Sequence, residues 1–266
     1  MSVLPDPESV VLRLRAAGCV FAEQEARLLV EAAATAGELD AMVGRRVAGL
    51  PLEYVLGWAE FAGRRFVVEP GVFVPRHRTE LLTRLATGFA HPGAVVVDLC
   101  CGSGALGAVV AAAVPVELHA TDIEPAAVRC ARRNVAGQVH QGDLYSPLPR
   151  ELRGRVDVLI SNVPYVPTGE VALLPPEARE HEPLVALDGG ADGLDVLRRV
   201  VAQAPDWLAP GGRVLFETSE RQAARAVADT ERAGLLARIE ESEELGATVV
   251  VGQRPWSVGN PLLHKE

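Results

Sequence analysis

The stretch VVVDLCCGSGALG, residues 95–107, holds the features that decide the fold. It begins with an apolar run broken only by Asp98, which is typical of a strand buried on both faces of a sheet. Small residues then lead into an apolar helical run, so a tight turn joins the strand to a helix. Glycines let a ligand approach the backbone, and the first N–H groups of a helix are free to bind it. We therefore predict a cofactor-binding turn made of Asp98, Cys100, Cys101, Gly102, Ser103 and Gly104.

This turn alone leaves the kind of cofactor open. An ordinary strand-to-helix connection uses the same small residues. A phosphate-binding P-loop is excluded, because no GK[ST] follows the glycines. Gly102, Gly104 and Gly107 also fit the spacing of a dinucleotide-binding turn, so hydride chemistry has to be judged from the rest of the chain.

Strand and helix patterns alternate outward from the turn. Further strands are predicted at 116–122, 156–162 and 213–219, and helices at 105–113, 124–133, 194–208 and 222–233. Repeated β-α units imply an α/β fold with a parallel sheet and helices on both faces. The final segment, ARIEESEELGATVVVGQRP, has two strand patterns with no helix between them, which predicts one antiparallel strand.

The first part of the chain has a different pattern. Three helical runs end at Gly18, Gly37 and Gly49, since glycine commonly follows a helix. The stretch WAEFAGRRFVVEPG has the alternation and central glycine of a hairpin. We predict an N-terminal helical substrate-recognition domain at 1–57, a hairpin linker at 58–77 and a larger domain at 78–266.

Acidic residues at two further strand tips predict a nucleoside ligand. Asp122 ends the strand that follows the glycine turn, where a carboxylate accepts hydrogen bonds from both ribose hydroxyls. Asp143 and Leu144 come at the tip of the next strand, near the expected adenine. The letters DIEP from Asp122 also fit the start of a helix, and the two roles can coexist. We predict cofactor contacts for Asp122, Ile123, Asp143 and Leu144.

The segment SNVPYVP, residues 161–167, lies at the end of a later strand, where open α/β sheets bind ligands. Asn-x-Pro-Tyr resembles the (Asn/Asp/Ser)-Pro-Pro-(Tyr/Phe/Trp) signature of methyltransferases that act on planar amide or amine nitrogens. An amide nitrogen is a poor nucleophile, because its lone pair is delocalised into the carbonyl. Acceptors on Asn162 and Val163 would orient that nitrogen and stabilise its developing positive charge, and Tyr165 would stack on the planar group.

We predict that Asn162, Val163, Pro164 and Tyr165 are catalytic and that Asn162 also borders the cofactor. The simpler alternative is a turn, with one extended residue before the proline.

Composition limits the function classes. The chain has 35 acidic and 26 basic residues, and a net charge of -9 disfavours direct nucleic-acid binding. The start MSVLPDPESV lacks the basic and apolar regions of a signal peptide, and the apolar stretches are too short to span a bilayer. Four cysteines and six histidines show no metal-ligand spacing, so no metal is expected. We expect a cytoplasmic protein with no membrane or nucleic-acid partner.

Several blocks in order resemble the HemK/PrmC family, the protein-(glutamine-N5) methyltransferases of peptide chain release factors. PLEYVLGWAEFAGRRFVVEPGVFVPRHRTELL resembles the family's PLxYxxGxxxFxGxxFxVxxGVLIPRPETExL. DLCCGSG resembles DLGTGSG, NVPY resembles NPPY, and EHEPLVALDGGADGL resembles EPxxALxGGxDGL.

The resemblance implies a class I (Rossmann-like) seven-stranded methyltransferase domain with a small N-terminal helical domain and a β-hairpin linker. It implies that S-adenosyl-L-methionine contacts Cys100 to Gly104, Asp122, Leu144 and Asn162. It also implies that Asn162 to Tyr165 hold the glutamine of a release factor's Gly-Gly-Gln loop.

The chain departs from the family blocks at several positions and resembles a divergent paralogue. Cys100-Cys101 replaces Gly-Thr, Val163 replaces the first proline of NPPY, and His77-Arg78 replaces Pro-Glu. One alternative is a methyltransferase for another amide or amine nitrogen, in a small molecule or another protein. Another is a catalytically silent S-adenosylmethionine-binding module, which the intact Asn162 and Tyr165 disfavour. NVPY and the antiparallel ending disfavour a dehydrogenase.

Overall fold

Short helices open the part of the chain that the structure describes, residues 6–256 of a computed structural model. They are α1 (Pro7–Ala16), α2 (Ala22–Ala32), α3 (Ala36–Val47) and α4 (Leu52–Leu56). Their apolar faces enclose a core of their own around Leu14, Leu29 and Leu39, which are fully buried. The predicted helical bundle is present. Of the predicted domains, residues 1–5 and 257–266 lie outside the described residues.

The prediction that the second helix ends at Gly37 is wrong. Helix α2 ends at Ala32, and Gly37 lies in the first turn of α3. The Thr35 side chain accepts a hydrogen bond from the N–H of Glu38, whose carboxylate accepts one from the N–H of Ala34. This reciprocal cap fixes the start of a new helix, so the glycine beside it does not act as a stop signal.

A hairpin connects the helices to the larger domain, as predicted. Strands β1 (Trp58–Phe61) and β2 (Arg64–Val67) pair antiparallel. The two residues between them, Ala62 and Gly63, have φ values of 49° and 69°. Positive φ at both positions is the conformation of a tight hairpin turn whose twist matches that of the strands.

The larger domain contains a seven-stranded sheet in the order β5-β4-β3-β6-β7-β9-β8. Its strands are β3 (Val95–Leu99), β4 (Glu117–Asp122), β5 (Gln138–Gln141), β6 (Val156–Ser161), β7 (Leu208–Thr218), β8 (Leu236–Ser242) and β9 (Ala247–Gln253). Strands β3 to β7 run parallel, and β9 is antiparallel to both β7 and β8. The predicted α/β class and the antiparallel ending are confirmed.

Helices cover both faces of this sheet. They are α5 (Glu80–Phe89), α6 (Ala105–Ala113), α7 (Pro125–Asn134), α9 (Asp195–Trp207) and α10 (Glu220–Arg232). The short helix α8 (Pro176–His181) has no buried residue and lies in the segment that lines the cavity described below. Along β3, Val95 and Val97 pack in the cluster that holds α9, whereas Val96 packs in the one that holds α5 and α6. The run VVVDL is apolar throughout because both sides of β3 are buried.

Among residues 6–256, no helix is long and apolar enough to cross a membrane. The same residues hold no group of three or more histidine, cysteine or acidic side chains placed to bind a metal ion.

Candidate active site

A cavity of about 540 Å³ lies at the carboxyl ends of β3, β4 and β6. The parallel strands bring the turns that follow them to one edge of the sheet, and this edge binds ligands in open α/β folds. One part of the wall, here called the loop side, is formed by Asp98 and residues 100–103, 122–124 and 142–144. The NVPY side is formed by Arg76, Arg78, residues 162–166 and parts of 174–187.

All but one of the predicted site residues lie on this wall, and Gly104 is the exception. Gly104 has φ 77° and lies at the start of α6. A Cβ atom there would come within 2.5 Å of Val135 Cγ2 and 3.1 Å of Ala131 Cβ. The lack of a side chain at position 104 therefore allows α6 to pack against α7 behind the cavity.

Backbone conformation shapes the loop side. Cys100 and Gly102 both have positive φ, at 55° and 54°. A left-handed conformation suits glycine and costs a residue with a Cβ atom roughly 1–2 kcal/mol. Cys100 therefore carries backbone strain at the position where the resemblance places a glycine.

Asp98 is a buried carboxyl beneath the loop. Its Oδ2 accepts a hydrogen bond of 2.9 Å from the N–H of Gly107, in the first turn of α6. A Cβ atom on residue 107 would lie 3.0 Å from that oxygen, so glycine leaves room for the contact. Burial raises the pKa of Asp98 to about 7. Asp98 fixes the start of α6 relative to β3.

Asp122 connects the loop to the tip of β4. Its Oδ2 accepts a hydrogen bond of 2.8 Å from the N–H of Gly102, and its Oδ1 accepts one of 2.9 Å from the N–H of Glu124. Both oxygens keep further acceptor capacity, since a carboxylate has about four lone-pair positions. Burial raises the pKa of Asp122. Beside it, Ile123 places a 48 % exposed apolar side chain on the cavity wall.

Asp143 and Leu144 form the far end of the loop side. The Asp143 carboxylate pairs with Arg199 of α9. Leu144 has φ 48°, and its carbonyl accepts a hydrogen bond of 3.0 Å from Thr121 Oγ1. Leu144 is 5 % exposed, and it covers apolar core as well as lining the cavity.

Asn162 stands at the junction of the two sides, directly after β6. Its Oδ1 atom is buried and has no hydrogen-bond partner among the described residues. A buried acceptor without a partner costs free energy, so such atoms in native proteins commonly belong to binding sites. Asn162 therefore presents an acceptor at the cavity.

The rest of NVPY is held rigidly. Val163 is 2 % exposed and packs in the main core. The carbonyl of Tyr165 accepts a hydrogen bond of 2.9 Å from Gln222 Nε2. Cβ atoms on Gly189 and Gly193 would lie 2.6 Å from the Pro164 carbonyl oxygen and 2.3 Å from the Tyr165 carbonyl oxygen.

The block DGGADGL thus packs its glycine backbone directly on NVPY. The resemblance assigns no role to this block, and in the sequence only its glycines indicate a close approach of two backbones.

Sequence reasoning also missed two charged residues beside Tyr165. The Tyr165 hydroxyl lies 2.8 Å from Glu217 Oε1 and 2.8 Å from Arg78 Nη2. Arg78 Nε lies 2.8 Å from the same Glu217 oxygen. These residues are 52 to 139 positions apart in the chain, so no local motif marks their association.

Two further ion pairs attach the segment 174–187, which closes the NVPY side. Arg76 contacts both oxygens of Glu182, at 2.7 Å each, and the Glu182 side chain is 1 % exposed. Arg46 of α3 pairs with Glu25 at 2.6 Å and with Glu177 at 3.4 Å. The N-terminal helices are therefore in direct contact with the wall of the cavity.

A mostly parallel seven-stranded sheet with β9 antiparallel, and a cavity at its carboxyl edge with NVPY after β6, define a methyltransferase. Residues 63–174 match the family model of the methyltransferase small domain. The chain is similar to the release factor glutamine methyltransferase of Geobacter sulfurreducens, with 37 % identity over 80 % of this chain and 76 % of that one. The chain belongs to the release factor glutamine methyltransferase family.

Two other similarities add detail. A 4-amino-L-phenylalanine/4-methylamino-L-phenylalanine methyltransferase of Streptomyces pristinaespiralis is 40 % identical over 68 % of this chain and 65 % of that one. The solved structure of a T. thermophilus 16S rRNA methyltransferase in complex with AdoMet and guanosine has a TM-score of 0.54. It covers 74 % of this chain and 49 % of that one at 21 % identity, and it shares the fold.

Proposed function

We propose that this protein transfers a methyl group from S-adenosyl-L-methionine to the side-chain amide nitrogen of a glutamine in the Gly-Gly-Gln loop of a peptide chain release factor. The observation that carries the proposal is the buried, unpartnered Oδ1 of Asn162. No described residue donates a hydrogen bond to this oxygen, and the N–H group of a bound substrate amide would supply one. The family membership established above supports a release factor as the substrate.

The loop side fits the proposed cofactor. A cavity of about 540 Å³ is within the usual range for a ligand of nucleoside size. Asp122 keeps acceptor capacity for ribose hydroxyls, and Ile123 and Leu106 offer apolar surface to a base. The other predicted contacts are Asp98, Cys100 to Ser103, Asp143 and Leu144, with Gly104 supporting the loop from behind. When bound, S-adenosyl-L-methionine supplies an electrophilic methyl group on a sulfonium sulfur.

The NVPY side acts on the acceptor. Asn162 Oδ1 and the carbonyl of Val163 accept hydrogen bonds from the glutamine NH₂ group and aim its lone pair toward the cofactor. They stabilise the positive charge that develops on nitrogen without reorganising, because both are fixed by the fold. Pro164 keeps the turn stiff, and the ring of Tyr165 contacts the planar amide.

The N-terminal helical domain is proposed to recognise the release factor. Its boundary with the hairpin linker is placed near residue 57, and the boundary of the linker with the larger domain near residue 77. Arg46 supports this role, because it joins Glu25 in the helical bundle to Glu177 in the cavity wall. A cytoplasmic location and the absence of a nucleic-acid partner remain predictions.

Asn162→Ala tests the proposal. Turnover of purified release factor with radiolabelled S-adenosyl-L-methionine should fall on the order of 100-fold or more, as expected for loss of a preorganised acceptor. Cofactor affinity measured by calorimetry should change much less, and binding of NAD should not be detected. If the variant methylates the release factor as fast as the wild type, NVPY is only a structural turn and takes no part in the reaction.

Asn134→Ala is the matched control. Asn134 makes three hydrogen bonds of 2.9 Å, two with Val67 and one with the carbonyl of Ser103. Its loss should lower Tm clearly, since three part-buried hydrogen bonds are broken. Asn162→Ala should leave Tm nearly unchanged, because Asn162 Oδ1 has no partner to lose.

A second candidate acceptor is an amine on a small aromatic amino acid. The 40 % identity to the Streptomyces pristinaespiralis enzyme favours it. Release factor and 4-amino-L-phenylalanine should be offered to the same preparation, and kcat/KM compared. Faster methylation of the free amino acid would replace the first proposal. Asn162→Asp sharpens the test, because an added negative charge favours an amine over a neutral amide.

A further inference from the structure

A partly buried charged network lies behind Tyr165. Arg78 belongs to the short 3₁₀ turn His77–Thr79, and Glu217 lies near the end of β7. Side chains from three separate parts of the chain therefore meet at one hydroxyl group. Position 78 is a glutamate in the family block quoted above, whereas this chain has a cation there.

Chemistry fixes the direction of every hydrogen bond in the network. A guanidinium only donates and a carboxylate only accepts, so the Tyr165 hydroxyl accepts from Arg78 and donates to Glu217. It accepts from Arg78 Nη2 at 2.8 Å, while the single hydrogen on Arg78 Nε is shared between Glu217 Oε1 at 2.8 Å and this hydroxyl at 3.1 Å. It donates to Glu217 Oε1 at 2.8 Å. The hydroxyl's one hydrogen and one of its acceptor positions are therefore taken by protein groups.

Burial makes the network rigid. The side chain of Glu217 is 2 % exposed, and a buried carboxylate requires a compensating cation. Arg78 supplies that charge from the cavity wall, with its side chain 44 % exposed. Burial, and next the negative charge of Glu217, raise the pKa of the Tyr165 hydroxyl, which therefore stays a donor.

We propose that Arg78 and Glu217 are positioning residues that lock the Tyr165 ring in place against the acceptor's planar group. The hydroxyl donates to Glu217 and accepts from Arg78, so Tyr165 presents its ring to the substrate. This inference rests on the proposed function, since it assumes that the acceptor binds on the NVPY side. It assigns substrate orientation to two residues outside the NVPY motif.

The test is steady-state methylation of a release factor by Arg78→Met, Arg78→Lys and the double variant Arg78→Met/Glu217→Gln. Arg78→Met should lower kcat/KM for the release factor on the order of 10- to 100-fold, because a ring held loosely orients its substrate poorly. Arg78→Lys should recover part of the loss, since an ammonium still donates to the hydroxyl. The Kd of S-adenosyl-L-methionine should stay within about twofold in all three.

The double variant distinguishes a loss of substrate positioning from a folding defect. Arg78→Met leaves the Glu217 carboxylate buried without its cation, and the double variant removes that charge. The double variant should be more stable than Arg78→Met yet lose a similar part of kcat/KM, since Tyr165 is unlocked in both. Arg232→Met is the matched control: it breaks a pair with buried Asp229 away from the cavity, and should lower Tm without changing KM or kcat.

The outcomes separate the two proposals. If the wild type methylates the release factor and both Arg78→Met and the double variant keep its kcat/KM, the positioning role is wrong and the proposed function stands. If the wild type methylates no release factor, the proposed function is wrong and the positioning role falls with it. If Arg232→Met lowers Tm and loses as large a part of kcat/KM as Arg78→Met, the positioning role is also overturned.

Discussion

The two sides of the cavity are built in different ways. On the loop side, contacts join residues close in sequence: Asp98 to Gly107 across 9 positions and Gly102 to Asp122 across 20. On the NVPY side, Tyr165 meets Arg78 across 87 positions, and Arg78 meets Glu217 across 139. The contacts that shape the glycine turn lie within two consecutive β-α units, and the longer contact of the loop side joins Asp143 to Arg199 across 56 positions. The contacts of Tyr165 require the whole sheet and the segment after the hairpin.

This difference separates the two binding tasks. Backbone N–H groups and acidic side chains of one supersecondary unit suffice to hold a cofactor. Orienting a poor nucleophile requires acceptors fixed to within a fraction of an ångström, and long-range packing provides that rigidity. Damage to distant contacts should therefore impair the acceptor step while cofactor binding persists.

The largest effects are expected when alanine replaces one of two glycines, Gly193 on the NVPY side or Gly104 behind the loop side. Gly193→Ala would place a Cβ atom 2.3 Å from the Tyr165 carbonyl oxygen and displace NVPY, so kcat should fall on the order of 100-fold. Cofactor affinity should stay within about twofold of the wild type. Gly104→Ala would collide with Val135 at 2.5 Å and tilt α6, so cofactor affinity should fall first. Calorimetry and single-turnover kinetics measure both effects.

Gly154→Ala is the control for this pair. Gly154 has φ 72°, and nothing lies within 4 Å of its Cβ position, so the variant carries the backbone strain without a collision. It should lower the free energy of unfolding by about 1–2 kcal/mol and leave both activities intact. A Gly193→Ala enzyme that behaves like Gly154→Ala would show that NVPY does not depend on this packing.

A smaller effect is expected at Asp122. Asp122→Ala removes the acceptor of Gly102 N–H along with any ribose contact, so cofactor affinity should fall on the order of 10- to 100-fold. Asp157→Ala is matched to it, because Asp157 also accepts from a backbone N–H, that of Val95 at 2.8 Å. Asp157 lies at the opposite ends of the strands from the cavity, so Asp157→Ala should leave the affinity for the cofactor unchanged. Equal affinities in the two variants would limit Asp122 to a helix-start role.

The last comparison is a pH dependence of stability, which is spread over about three pH units. On the loop side buried Asp98 faces a backbone N–H, whereas on the NVPY side Glu217 faces a guanidinium. Burial raises the pKa of Asp98 to about 7, above its value in the unfolded chain. The folded protein therefore holds a proton that the unfolded chain has lost, and the contribution of Asp98 to stability falls as the pH rises from about 4 to about 7.

Asp98→Asn removes that titration. The difference in the free energy of unfolding, variant minus wild type, should increase as the pH rises through that range. The increase is at most about 1.4 kcal/mol per pH unit. Urea unfolding at several pH values measures the shift. Parallel curves for the two proteins would mean that Asp98 is already ionised in the folded state.

Much of the loop side could be predicted from local pattern. The apolar run of β3, the glycine turn and the acid at the tip of β4 are adjacent features, and parallel strands bring their carboxyl ends together. Gly104 could not be placed from sequence, because whether a glycine faces a ligand or a neighbouring helix depends on how α6 packs on α7. The end of the second helix was missed for a similar reason, since the cap at Thr35 outweighs the nearby glycine.

The sequence by itself determined the α/β order, the antiparallel ending, the hairpin and the family, because periodicity and short motifs are local properties of a chain. Only the tertiary structure decided that Asn162 Oδ1 lacks a partner, that Gly189 and Gly193 press on NVPY, and that Arg78 and Glu217 enclose the Tyr165 hydroxyl. These depend on which distant residues come together and on which polar atoms are left without a partner. No local pattern encodes either property, since both arise when the completed sheet buries the groups and removes water as their alternative partner.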